Sequence, residues 1–334
     1  MLKVAIIQTA FPGDVILSTA IFEALKAKEP QCESTAVVRP ESICLLKNNP
    51  YIDKIIAYDK YGADRGIKGI FKIASQLRGY DRAFIVQRHL RSTLISYLAH
   101  IPERIGYDIS SAKFLLTKKT KYRREKHEVQ RCLDLLEIDD DTRRYRPKIY
   151  MDEESIGRAN QILSQNGIKA DFIAVAPGSA WNTKKYPHYS KLIDLMAQQF
   201  DLPVVLIGGT DDKFLSESIC ESASSHPINL TGQTNLLESA AIISRAKLVI
   251  SNDSAPAHIA AAVDTPVIAI FGPTIPSFGF APYSEKSDVV DIGKLYCRPC
   301  TTHGSRRCPE QHFNCMMNLI PEKVMDAAKS LLSG

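Results

Sequence analysis

Four short stretches put chemically able residues where an apolar run ends. "FPGD" follows "LKVAII" and sets Asp14 in a Pro-Gly turn, with Gly13 beside it to admit a ligand or acceptor close to the backbone. A carboxylate there can take the proton of an attacking hydroxyl, and Asp is equally a good cap for the helix that follows. "APGSAWNTKKYP" comes after "FIAV": Gly178, Ser179 and the nearby amides suit an anion, while Lys184 and Lys185 bring the positive charge a diphosphate needs. It lacks the spacing of a Walker loop. "VISNDSAPAHIAAA" places Asp253 and Ser254 at a helix N-terminus, where amides attract phosphate, and His258 one turn in. "LIGGTDD" offers two glycines for close approach and Asp212 to accept from ribose hydroxyls, although Asp211 and Asp212 also suit caps of the next helix.

A fifth pattern is of another kind. Cys297, Cys300, Cys308 and Cys315 read C-x2-C-x7-C-x6-C, with His303 and His312 between them. Four soft ligands so close together suit a structural zinc, yet the second pair lacks the usual C-x2-C spacing, and free thiols in a loop are the other reading. Neither makes the cluster a catalytic centre. Cys32, Cys44, Cys132 and Cys220 lie scattered among apolar neighbours, as small core residues do.

The elements that must carry these stretches alternate along the chain. "KVAII", "STAVV", "KIIAY" and "RAFIV" in the first half, then "FIAVAP", "PVVLIGG", "KLVISND" and "PVIAIFGP", are β-branched runs without polar alternation, separated by helix-like stretches such as "DVILSTAIFEALKAK" and "SKLIDLMAQQF". Strands buried on both faces and alternating with helices predict parallel sheets in an α/β fold. The charged connection around Pro147, followed by a helix ending before Gly167, predicts a first domain over 1–160 and a second over 161–320, with a terminal helix from Pro321 (321–334) packing back on the first. The 334 residues carry 42 basic and 37 acidic side chains, a net +5 that names no nucleic-acid partner. The N-terminus reads as a core strand with no export signal, and no apolar run nears the roughly 20 residues of a membrane span, so the expected location is cytoplasmic or peripheral.

These motifs in this order resemble the ADP-heptose:lipopolysaccharide heptosyltransferases, glycosyltransferase family 9, over nearly the whole chain. "FPGDVILSTAIFEALK", "IPERIGYD" and "PGSAWNTKKYP" are similar to family segments, and "LTGQTNLLESAAIISRAKLVISNDSAPAHIAAA" with "IAIFGPT" is the most specific block; the "CRPC" cluster resembles the heptosyltransferase II branch. The resemblance implies the GT-B fold, two Rossmann-like domains facing each other across a cleft that closes to assemble the site, and an inverting transfer of heptose from ADP-heptose to the lipopolysaccharide inner core. It implies Asp14 as general base and Gly13, Ser179, Lys184, Asp212, Asp253, Ser254, Ala255 and His258 as the donor-binding set. The family commonly has glycine where this chain has Ala255, which puts a Cβ where positive φ and phosphate approach would favour none. No cofactor is required by that chemistry, since the resemblance implies lysines and helix dipoles in place of a bound metal. The acceptor is then the lipid A–Kdo/heptose core at the inner membrane's cytoplasmic face, met by Arg88 and Arg91 of "QRHLRS" or by "KKTKYRREK"; the protein is expected to be monomeric and to bind no nucleic acid. The alternatives are an epimerase or hydrolase on the same scaffold, a family member with another donor sugar, and a zinc-stabilised binding protein.

Overall fold

The computed structural model describes residues 1–139 and 144–333. The chain forms two compact units, Met1–Tyr150 and Met151–Gly334.

In the first unit, β1 (Lys3–Ile7), β2 (Glu33–Val38), β3 (Lys54–Ala57), β4 (Arg82–Ile85), β5 (Glu103–Tyr107) and β6 (Lys118–Thr120) make one parallel sheet in the order β3-β2-β1-β4-β5-β6. Its helices are α1 (Pro12–Ser18), α2 (Ala20–Lys28), α3 (Ile43–Leu46), α4 (Ile67–Gln76), α5 (Leu90–Leu98) and α6 (Glu128–Asp134). Ile7, Val37, Ile56 and Ile85 of the strands pack with Ile70, Ile73 and Ile95 of α4 and α5. Short β-branched strands covered by helices explain why the apolar runs show no alternation.

The second unit begins with α7 (Glu153–Gln165), capped by Asp152, whose Oδ1 accepts from Ser155 N at 2.9 Å. Then come β7 (Ile173–Ala176), α8 (Tyr189–Phe200), β8 (Val204–Leu206), α9 (Lys213–Ser222), β9 (Ile228–Asn229), α10 (Leu236–Arg245), β10 (Leu248–Asn252), α11 (Ala255–Ala262), β11 (Val267–Phe271), β12 (Ser287–Asp291), α12 (Asn314–Met317) and α13 (Pro321–Ser333). All pairings are again parallel, in the order β12-β11-β10-β7-β8-β9. Numbered within its own unit, each sheet runs 3-2-1-4-5-6, the Rossmann order, which reverses direction beside its first strand.

Three expectations change in detail. The stretch read as one helix after β1 is two: Ser18 Oγ and Thr19 Oγ1 donate to the carbonyls of Val15 and Ile16 at 2.7 Å, and such back-bonding interrupts the helix between α1 and α2. The division falls at 150/151, ten residues before the expected one, because α7 packs on α10. The terminal helix α13, expected on the first domain, packs on α8, β11 and β12 of its own unit, burying Val324, Met325 and Ala328.

Candidate functional site

Parallel α/β sheets bind ligands beyond the carboxyl ends of their strands, where the strand order reverses. In the first unit that point lies between β1 and β4. The segment after β1 enters α1 with Phe11 at the N-cap position, Pro12 in the first turn and Asp14 two residues further, half-buried; Asp14 is therefore not the cap residue. Gly13 is buried beside it. The end of β4 supplies Gln87, whose Oε1 accepts from Thr9 Oγ1, and then the exposed Arg88, His89 and Arg91. The Arg88 guanidinium lies 4.5 Å from the Tyr122 ring centre.

Two cations that sequence reasoning missed stand on the neighbouring strand ends. Lys60, after β3, is buried, and its Nζ donates to Thr9 O at 2.6 Å. Burial, then Arg39 and Arg91, push its pKa down, while Glu41 and Asp14 pull it back up. Arg39, directly after β2, contacts Glu41 through Nη2 at 2.6 Å. Burial and then Lys60, Arg88 and Arg91 likewise lower the pKa of His89. The carboxyl ends of β1 to β4 thus gather cations around one proposed base. Lys60 and Arg39 carry no motif; only their position just past an apolar run marks them.

In the second unit the reversal lies between β7 and β10, and the donor-type motifs converge there. Asn252 at the end of β10 is fully buried: its Nδ2 donates to Pro177 O at 2.7 Å and Gly178 O at 3.2 Å, while its Oδ1 accepts from Tyr186 N and Tyr189 OH. One amide therefore ties the end of β10 to both sides of the loop after β7. Lys184 comes from the 3-10 turn Asn182–Lys184 and is buried, its Nζ donating to Asp253 Oδ2 at 2.6 Å and Asp253 O at 3.1 Å. Thr274 Oγ1 donates to the same Oδ2 at 2.7 Å. Asp253 is thus the partner that holds Lys184, leaving the third ammonium proton for a ligand.

Ser254, not Asp253, is the N-cap of α11, and its side chain makes no capping bond; it accompanies Ser251 Oγ at 3.2 Å and donates weakly to Gly178 O at 3.5 Å. Pro256 has no N–H and Ala257 N donates to Ser254 O at 3.1 Å, so the Ala255 amide and the helix N-terminus behind it are what α11 offers an anion. Ala255 opens this helix and is not among the positive-φ residues, so the expected strain from its Cβ does not arise. His258 is buried with Nδ1 lacking a hydrogen-bond partner, and burial lowers its pKa to about 4, so it is neutral at physiological pH. Ser179 Oγ accepts from Trp181 N at 3.3 Å. Asp212 stands at the N-cap position of α9 but makes no capping bond to it; its Oδ2 accepts from Gly209 N at 3.1 Å. A Cβ on Gly178 would stand 2.3 Å from that carboxyl group, so glycine is what lets it approach the loop after β7. Burial raises the pKa of Asp212.

The cysteine segment reaches this site without supplying its chemistry. Thr183 Oγ1 donates to Ser305 O at 2.9 Å and accepts from Ser305 N at 2.8 Å; Thr183 N also donates to Ser305 O. His303 lies 5.0 Å from the Trp181 ring, and Arg298 donates to Gly272 O and Thr274 O. Gly304, at φ +96, lies where a Cβ would meet Trp181 at 3.0 Å. The segment braces the turn that presents Lys184. Cys297, Cys300, Cys308 and Cys315 are free thiols; burial first, and then the neighbouring thiols, raise the pKa of Cys300 and Cys315. Among the described residues no group of three His, Cys, Asp or Glu side chains is drawn together closely enough to hold a metal ion.

Residues 70–312 match the family model for glycosyltransferase family 9 (heptosyltransferase). The chain is 26% identical to lipooligosaccharide heptosyltransferase 2 of Haemophilus ducreyi, over 99% of this chain and 100% of that one. Its fold is similar to that of the glycosyl transferase family 9 protein from Veillonella parvula, with TM-score 0.89 and 25% identity over 99% and 97% of the two chains. It is also similar to the ADP-heptose lps heptosyltransferase II of E. coli, with TM-score 0.78 and 24% identity over 99% and 98%. With a family match that spans most of the sequence and two Rossmann sheets that carry its motifs at their reversal points, the chain belongs to glycosyltransferase family 9, the heptosyltransferases.

Proposed function

We propose that this glycosyltransferase moves a heptosyl residue from ADP-heptose to a sugar hydroxyl of the lipopolysaccharide inner core, with inversion. Asp14 takes the proton of the acceptor hydroxyl as its oxygen bonds to the anomeric carbon. The bond from that carbon to the diphosphate oxygen breaks, and its electron pair leaves with ADP. Lys184 and the Ala255 amide at the N-terminus of α11 stabilise the growing negative charge, which an ordered, water-poor site does at little reorganisation cost. Neutral His258 adds bulk and a ring nitrogen there without a second charge. Asp212 accepts from the ribose hydroxyls of the donor.

The observation that carries this reading is the buried Lys184–Asp253–Thr274 network lying against the start of α11, where no side chain caps the Ala255 amide: a preset cation beside a helix N-terminus is what a departing diphosphate requires. No described helix is long and apolar enough to cross a membrane. The exposed Arg88 and Arg91 suit an anionic acceptor, and they are the groups through which the protein would attach peripherally to an anionic surface.

The test is to supply ADP-heptose with and without a defined core acceptor, and to identify the product. Transfer predicts ADP release that depends on the acceptor, with an inverted anomeric linkage. Equal ADP release without acceptor, or an altered sugar nucleotide, would assign a hydrolase or an epimerase instead. Lack of turnover with ADP-heptose but turnover with another ADP-sugar would change the donor alone.

A further inference from the structure

The loops after β1, β2 and β3 build a feature for which neither the proposed base nor the donor site has a use. Arg39 lies with its guanidinium carbon 5.6 Å from the centre of the Phe11 ring and 5.0 Å from that of Tyr61. Lys60 Nζ stands 5.1 Å from the same Tyr61 ring, on the buried stem that bonds Thr9 O. Both rings are open to solvent, Phe11 at 51% and Tyr61 at 66%, although each is large and apolar. Phe11 is three residues before Asp14, so this assembly borders the proposed base.

Exposed aromatic rings that flank a cation form a surface of mixed character. Their faces offer apolar, polarisable contact and lose little side-chain entropy when covered. The rings fix the guanidinium by cation–π attraction, and a planar guanidinium with five N–H donors matches a carboxylate or phosphate. Glu41 engages Nη2 only, leaving donors for a ligand. A ligand that satisfies both features has an apolar C–H face and an anionic substituent: a sugar ring bearing a carboxylate or phosphate group. A purely apolar partner would strand the cation, and a simple inorganic anion would leave the rings uncovered.

We propose that Phe11, Arg39 and Tyr61 form an acceptor subsite that stacks an anionic sugar ring beside the hydroxyl attacked through Asp14. Tyr61 and Phe11 read the ring face and Arg39 reads the charged substituent. The inference rests on the heptosyl-transfer reading and adds residues that determine which acceptor is used.

The experiment compares wild type with Tyr61→Leu, Tyr61→Phe and Arg39→Met in steady-state transfer, using an acceptor that carries the anionic group and an analogue that lacks it. Tyr61 is exposed and Arg39 partly so, and neither belongs to the packed core, so the variants keep the fold. Tyr61→Leu is expected to raise the acceptor KM roughly tenfold, with kcat and the donor KM within twofold, and Tyr61→Phe to restore it. Arg39→Met is expected to raise KM roughly tenfold for the anionic acceptor and to change nothing for the neutral one. An unchanged acceptor KM in Tyr61→Leu and Arg39→Met, beside active wild type, overturns the subsite while leaving heptosyl transfer intact. Saturation-transfer NMR with a free sugar acid keeps the two readings apart where wild type transfers nothing. A signal lost in Tyr61→Leu then supports the subsite, and a signal unchanged in that variant overturns it.

Discussion

The two reversal points of this molecule are built on one topology and solved in opposite ways. Around β10 the ionic groups are buried and spoken for: Lys184 bonds Asp253, Asp253 accepts from Thr274, and Asn252 uses both ends of its amide. Around β1 Lys60 is buried, but Arg88 and Arg91 are exposed and Arg39 keeps 19% of its side chain open; Arg39 and Arg88 rest on aromatic rings. A network of mutually satisfied buried groups is rigid and fits one ligand geometry. Cations on ring faces at a surface tolerate variation. The difference matches a transferase whose nucleotide donor is constant and whose acceptor is a large, decorated glycan.

The contrast breaks most visibly at Lys184. Lys184→Met removes a charge-assisted bond to the diphosphate and is expected to lower kcat/KM for the donor roughly 100-fold, as measured at saturating acceptor. It also leaves the Asp253 carboxylate buried without its cation, a change of about 3 kcal/mol read as a lower denaturant midpoint. Adding Asp253→Asn should recover much of that stability and none of the donor use. A smaller effect is expected at the brace. Thr183→Val removes two hydrogen bonds to Ser305, at about 1 kcal/mol each, and should raise the donor KM about fivefold or more with kcat unchanged, while Thr183→Ser restores it. Arg88 or Arg91 substitutions should leave the donor KM alone, which keeps the two regions separate.

A separate effect concerns pH. The folded chain holds His258 neutral down to about pH 4, whereas the unfolded chain protonates it near 6.5. The depressed value contributes stability above pH 6.5 that is lost as pH falls toward 4, by up to about 3 kcal/mol across that window. Denaturant midpoints at pH 7 and 4.5 should therefore differ less in His258→Asn than in wild type.

Much of this was legible because strand-end chemistry is local. The eight apolar runs became β1, β2, β3, β4, β7, β8, β10 and β11, and the four motif stretches fall at or beside the reversal points. Four strands were not legible, the inner β5 and three at sheet edges. β6 is the polar "KKT", β9 has two residues, and β12 is the mixed "SDVVD"; edge positions need no continuous apolar run. Pairings at long separation also escaped the sequence. Lys184 and Asp253 are 69 residues apart, and Thr183 and Ser305 are 122, so no local pattern announces them. Lys60 and Arg39 look like ordinary surface cations until the sheet order sets their strands, β3 and β2, on one side of β1.

The central claim is that the first unit activates the acceptor and the second holds the donor. Asp14→Asn tests it most directly, with donor affinity measured by calorimetry and turnover measured on the same sample. The account predicts ADP-heptose affinity within twofold of wild type and turnover reduced by about 100- to 10,000-fold. Turnover within tenfold of wild type, or donor affinity lost together with turnover, would contradict it.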